Sequence, residues 1–167
     1  SNKPGVEGLR RAQEAGLRTE VIKHTDYPSR LKFDEAIHER LVAYRTDIVC
    51  LAGFMRVLTG DFVRKWRGRI INIHPALLPL FKGTHAHRQA LEAGVRVTGC
   101  TVHFVEEDID NGAIIAQKAV DIEVGDTEDS LAERVKSAEH VVYPKALKLL
   151  ATGRIHLDDN TNKIVWN

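Results

Sequence analysis

Four consecutive apolar residues, Ile48-Val49-Cys50-Leu51, lie between Asp47 and Ala52-Gly53. A half-exposed strand would alternate polar residues, and an amphipathic helix would space its apolar ones by 3.6. A run this short and apolar at every position suits a strand of a parallel sheet, covered on both faces. The sequence around it alternates helix and strand patterns. Val6 to Ala15 reads as a helix stopped by Gly16, and Leu17 to Ile22 as a strand. Asp34 to Tyr44 carries a helical stripe (Ile37, Leu41, Tyr44), with Asp34 as a candidate cap. Thr59 caps a helix expected to reach about Trp66, and Arg69 to His74 is a strand ended by Pro75. His85 to Ala93 reads as a helix ended by Gly94. Val97 to Val105 and Ala113 to Val120 form a hairpin about Asp110-Asn111-Gly112, where Asn-Gly suits positive φ. Asp126-Thr127 caps a long helix from about Glu128 to Thr152, with Leu131, Val135, Ala138, Val142, Ala146 and Leu149 as its stripe. Pro144 is expected to kink or split that helix. A weak second hairpin joins Arg154 to Leu157 with Lys163 to Trp166. The expected fold class is therefore α/β: an open, mostly parallel twisted sheet with helices on both faces, and an antiparallel hairpin near the C-terminal half.

Length and charge narrow the function. The chain's 167 residues suit a single domain over 1–167. With 24 basic and 23 acidic residues, it offers no electrostatic case for nucleic acid or an anionic membrane. No apolar run approaches the roughly 20 residues of a membrane span, and no secretory signal pattern is visible. Cys50 and Cys100 sit in apolar runs and form no CxxC pair. They read as buried free thiols suited to a reducing, cytoplasmic setting.

In open α/β sheets, ligands bind at the carboxyl ends of strands. Asn72-Ile73-His74-Pro75 lies at such an end, and residues two apart share a strand face. Asn72 and His74 therefore point one way, and Ile71 and Ile73 the other. An amide donor beside an imidazole suits stabilisation of a developing oxyanion. The alternative is a polar strand end making local hydrogen bonds. Asp110 lies in Glu106-Glu107-Asp108-Ile109-Asp110, four carboxylates in five residues. This is either a solvated acidic turn or a source of a carboxylate for His74. The calcium-loop pattern is not met. His85, His87 and His103 make a metal site conceivable, but exposed helix-terminal histidines and a satisfied strand histidine are the plainer reading. Gly53 permits a tight reversal after the apolar strand, and exposed backbone in Met55-Arg56-Val57-Leu58 would suit a flat heterocycle. A simple strand-to-helix connection is the alternative.

Taken jointly, these segments resemble one family. Leu51 to Leu58 looks like the folate-site segment of glycinamide ribonucleotide transformylases, also called phosphoribosylglycinamide formyltransferases. Asn72-Ile73-His74-Pro75-Ala76-Leu77-Leu78-Pro79 resembles the motif carrying the family's catalytic Asn and His. Gly99 to Val105 followed by Asp110-Asn111-Gly112 resembles the segment carrying its catalytic Asp. Order and spacing agree, the resemblance runs from Ser1 to about Trp166, and it is strongest to the eukaryotic enzymes. It implies formyl transfer from 10-formyltetrahydrofolate, as co-substrate, to the amine of glycinamide ribonucleotide, without a metal. Asn72 and His74 would donate to the oxyanion, with His74 as general acid, and Asp110 would raise the pKa of His74 and help relay protons. The folate would lie against Met55, Arg56, Val57, Leu58, Asn72 and the loop Glu106, Glu107, Asp108, Ile109 and Asp110, with Arg30 nearby. Lys136 and Glu139 would meet the ribonucleotide; an exposed (i, i+3) ion pair is their alternative reading. The Ala76 to His87 segment would be a mobile lid. Eukaryotic relatives carry such a domain at the carboxyl end of a three-activity purine-synthesis protein.

One departure from the family pattern is visible. Family members open with a strand and a Gly-Ser-Asn loop for the substrate phosphate. Ser1-Asn2-Lys3-Pro4-Gly5 resembles the unit after that, so one strand-plus-helix unit of roughly 30 residues is expected outside residues 1–167. Two related enzymes are rival readings, and the first shares the Asn, His and Asp. Formyltetrahydrofolate hydrolase uses water as acceptor and carries an extra amino-terminal domain. Methionyl-tRNA formyltransferase carries an extra RNA-binding domain, for which no basic patch stands in here. Phe81 to His87 and Thr101 to Val105 favour the transformylase. A non-catalytic folate or nucleotide binder is the alternative from another class.

Overall fold

The computed structural model describes residues 1–167 and resolves two compact units, Ser1–Thr46 with Leu58–Phe62, and Asp47–Val57 with Val63–Asn167. The first holds α1 (Glu7–Glu14), a 3-10 turn (His24–Asp26) and α2 (Arg30–Ala43), and α3 (Gly60–Lys65) begins in it, after Thr59. Gly16, at φ +71°, ends the first helix as its sequence indicates. Leu17 to Ile22 does not form a ladder strand. It is extended, and its neighbour is Ser1, whose amino group donates to the Glu20 carbonyl at 3.0 Å and whose carbonyl accepts from Ile22 N–H at 3.0 Å. Two bonds to one residue fall short of a ladder. The cap of α2 is Ser29, whose hydroxyl accepts from Lys32 N–H at 3.2 Å. Asp34 is instead inside the helix and buried, and accepts from Thr59 N–H at 2.6 Å. That bond explains a buried carboxylate that a capping role would have left near solvent. Arg30 is exposed on the first turn of α2, and Leu58 is buried in this same unit.

The second unit is built on a four-stranded sheet in the order β1 (Val49–Leu51), β2 (Ile70–His74), β3 (Val97–Phe104) and β4 (Ile114–Asp121). The β1–β2 pair is parallel, but β2–β3 and β3–β4 are antiparallel. The sheet is therefore mixed, not mostly parallel. The excursion from β2 to β3 through α4 (Ala86–Glu92) returns the chain antiparallel, which period and length alone do not reveal. The run 48–51 is likewise an edge strand and only partly buried, since it has a ladder neighbour on one side. Cys50 is exposed and Cys100 buried, so only one of the two thiols is in the core.

Helix α5 (Glu128–Ala151) packs on β3 and β4. Its stripe Leu131, Val135, Ala138, Val142 and Ala146 meets Ile71, Cys100, Val102 and Phe104 in the core. Thr127 caps it: its hydroxyl accepts from Ser130 N–H at 3.2 Å, and Ser130 Oγ accepts from Thr127 N–H at 3.0 Å. The helix runs on through Pro144 without splitting. Burial of Leu131, Val135 and Val142, at roughly 1.5–3 kcal/mol each, outweighs the about 3 kcal/mol that an interior proline costs. A second, two-stranded sheet pairs β5 (Ile155–Leu157) with β6 (Ile164–Trp166), the expected terminal hairpin. No helix is long and apolar enough to cross a membrane.

Candidate active site

The β2–β3 register decides which polar side chains meet. Asn72 lies opposite His103, and His74 opposite Thr101. Directly opposed residues share a face, so one face carries Asn72, His74, Thr101 and His103. Ile71, Cys100, Val102 and Phe104 lie on the other, in the core beneath α5. The alternation expected at 71–74 is thus what the strand shows, and the ladder adds Thr101 and His103 to it.

His74 is 4% exposed. Its Nε2 donates to the Phe81 carbonyl at 2.8 Å, and its Nδ1 stands 3.3 Å from Asp110 Oδ2. Both ring nitrogens face acceptors. Asp110 is held by the segment that follows His74. Its Oδ2 accepts from Gly83 N–H at 2.8 Å, and its Oδ1 lies 3.6 Å from His103 Nε2. Lys82 Nζ donates to Asn111 Oδ1 at 2.8 Å, a second tie between the same two loops. The positive φ falls on Asp110 itself, at +51°, and not on Asn111 or Gly112 as Asn-Gly suggested. Asp tolerates this conformation better than most side chains. Gly112 is required for space: a Cβ there would lie 1.8 Å from the Phe104 carbonyl oxygen.

His103 is the site residue that local reading of the sequence left as a satisfied strand histidine. It is 2% exposed, and its Nδ1 donates to the Phe104 carbonyl at 2.7 Å. Burial holds its pKa below the ordinary histidine value, against the opposing pull of the Phe104 carbonyl and Asp110. The neutral ring, protonated at Nδ1, leaves Nε2 as an acceptor. Asn72 Nδ2 lies 3.5 Å from it, so the amide turns its NH₂ end into the site. A register shift in the β3–β4 ladder between Val102 and His103 re-aims this position. The signal was His103's place two residues after Thr101, but its partner became visible only with the register.

The segment after His74 is fixed by a buried network. Thr101 Oγ1 donates to the Ala76 carbonyl at 2.7 Å and accepts from Leu78 N–H at 3.0 Å, and Gln117 Nε2 reaches it at 3.0 Å. His85 is exposed at φ +59° before α4. His87 keeps a buried Nε2 without a hydrogen-bond partner, and burial lowers its pKa. His85, His87 and His103 do not converge, and no group of three His, Cys, Asp or Glu side chains has metal-binding geometry.

The other candidates of this unit differ in exposure and partners. Met55 and Val57 are exposed, as is Ile109, while Arg56 is half-buried. Glu107 pairs with Arg64 at 2.6 Å, and Glu106 lies 3.9 Å from Arg67, so arginines flank part of the acidic loop. Asp108 is exposed. Lys136 is exposed and pairs with Glu133 at 3.3 Å, not with Glu139. Glu139 is half-buried, and its burial raises its pKa.

A buried imidazole and an oriented amide at one strand end, beside a loop carboxylate, suit acyl transfer. The family model described as Formyl transferase matches residues 1–147. The chain is 57% identical over 166 residues to the trifunctional purine biosynthetic protein adenosine-3 of Gallus gallus, covering 99% of this chain and 16% of that protein. It is 42% identical over 160 residues to the phosphoribosylglycinamide formyltransferase of Escherichia coli, covering 96% of this chain and 76% of that one. Among solved structures, glycinamide ribonucleotide transformylase 1 from Symbiobacterium toebii superposes with a TM-score of 0.94 at 46% identity, over 99% of this chain and 77% of that one. The chain therefore belongs to the formyl transferase family, in its phosphoribosylglycinamide formyltransferase branch. It spans about one-sixth of the length of the trifunctional relative.

Proposed function

We propose that this chain transfers the formyl group of 10-formyltetrahydrofolate to the amine of glycinamide ribonucleotide in de novo purine synthesis. The observation that carries the reading is the meeting of Asn72, His74 and Asp110 around one strand end, with His74 3.3 Å from Asp110. In this reading the amine attacks the formyl carbon and a tetrahedral oxyanion forms. Asn72, its amide oriented by His103, donates to that oxygen. The C–N bond to the folate N10 then breaks, N10 takes up a proton, and the attacking amine gives one up. His74 delivers the proton and Asp110 balances its charge. Nε2 of His74 must leave the Phe81 carbonyl to reach the substrate, so segment 76–85 shifts as substrate arrives.

The folate ring would lie against Met55, Arg56 and Val57 and the loop Glu106 to Asp110, covering the exposed Met55 and Ile109. Lys136 and Glu139 would serve the ribonucleotide. Residues 1–167 act as one formyltransferase domain, and the identity to the trifunctional relative supports a place within a multifunctional purine biosynthetic protein. No step needs a metal.

The test is formyl transfer by His74→Ala. It is expected to lose at least 10²-fold in kcat, the lower range for a removed general acid. Undiminished transfer by this variant overturns the mechanism. A parent protein that passes the formyl group to water instead of glycinamide ribonucleotide is a hydrolase.

A further inference from the structure

Helix α5 reaches the site's backbone through one side chain that the reaction scheme does not use. The Tyr143 hydroxyl lies 2.6 Å from the Leu51 carbonyl and 3.1 Å from the Ile71 carbonyl, 92 and 72 residues away. A partly buried tyrosine hydroxyl must find acceptors, and these two have a particular place in the fold. Leu51 is the last residue of β1, pairs with Asn72 across the parallel ladder, and leads into the Ala52 to Leu58 segment. The Ile71 carbonyl belongs to the peptide plane whose N–H is that of Asn72. Fixing that plane fixes the backbone from which the Asn72 amide projects. Tyr143 also follows Lys136 and Glu139 at i+7 and i+4, on one side of α5.

We propose that Tyr143 is a positioning residue: its hydroxyl keys α5 to the ends of β1 and β2 and thereby sets the placement of the Asn72 amide. The inference rests on the formyl-transfer reading for its consequence in catalysis, but its geometric part stands apart from it. Tyr143→Phe keeps the ring in the core and removes only the hydroxyl.

Two measurements on the full chain test it. Amide hydrogen exchange, followed residue by residue, is expected to speed up at least tenfold at Asn72 in Tyr143→Phe, with Thr101 on β3 unchanged. Unchanged exchange at Asn72, or equal acceleration throughout the sheet, overturns the inference whether or not the protein transfers formyl groups. In the kinetic measurement, Tyr143→Phe is expected to lower kcat about tenfold, part of the 10²–10³ that loss of an oxyanion donor costs. KM for glycinamide ribonucleotide should stay the same. In an Asn72→Ala background the same substitution should cost less than twofold, because its effect runs through Asn72. A tenfold loss that persists in that background overturns the positioning role. A parent with no transfer to glycinamide ribonucleotide defeats the functional reading instead, and the exchange result still decides the structural one.

Discussion

At the residue scale, the site depends on which partner each polar atom faces. His103 donates through Nδ1 to the Phe104 carbonyl, and this leaves Nε2 to receive the Asn72 amide. Asn72 therefore presents N–H and not oxygen to whatever enters. Replacing Asn72 by Ala removes that donor and is expected to lower kcat about 10²–10³-fold, with KM for either substrate changed little. A steady-state comparison with the parent checks this, and a change confined to KM would mean that Asn72 binds substrate without serving the oxyanion. Asn72, His74 and Asp110 were legible in the sequence from their position at strand ends and the resemblance of their surrounding motifs. The Phe81 carbonyl, the Gly83 amide and His103 were not. Backbone atoms leave no mark in a residue pattern, and a strand histidine identifies its neighbour only when the register is known.

At the scale of elements, α5 was legible because its cap and stripe are local, whereas the cap expected at Asp34 of α2 is Ser29. Thr127 caps α5 and the 131–146 stripe is buried, both as the pattern requires. Sheet polarity was not local, and the mostly parallel expectation gave way to one parallel and two antiparallel pairs. Helix α5 does not split at Pro144, because propensity is weaker than packing along a helix so deeply seated in the core. The β3–β4 connection supplies the next prediction. A Cβ at Gly112 would lie 1.8 Å from the Phe104 carbonyl oxygen, which is ladder-end backbone and not a movable side chain. Gly112→Ala must push the 105–112 loop outward, and Asp110 with it. The expected outcome is a stability loss of about 1–3 kcal/mol by thermal unfolding, together with a fall in formyl transfer larger than that loss of folded protein explains. A variant with parental activity would mean that the loop adjusts without moving Asp110.

For the whole molecule, burial of titratable groups sets how stability follows pH. His103 and His87 both have pKa values pushed below 6.5 by burial. The unfolded chain then binds protons that the folded one refuses, so stability is fully present above about 6.5 and falls as pH drops below it. Glu139 has the opposite sign, since burial raises its pKa above 4.5 and the folded form retains its proton there. At the alkaline end, burial pushes the Cys100 thiol up to about 11 from 9.0, and it raises Tyr143 as well. Stability is expected to fall again as pH rises above about 9. Thermal unfolding between pH 5 and 10 checks both limbs, and His103→Gln should flatten the acidic one. An acidic limb unchanged in that variant would assign it to His87.

Asn72 and His103 face each other across a hydrogen-bonded ladder, whereas the Phe81 carbonyl sits on a connection outside it. This difference bears on inhibitor design. A molecule that docks its oxyanion mimic on Asn72 meets a donor already held in place, and little conformational entropy is lost on binding. One that instead displaces the Phe81 carbonyl from His74 must first reorganise a loop. Compounds built outward from the strand-borne amide should therefore retain more affinity per atom than compounds built from the histidine side.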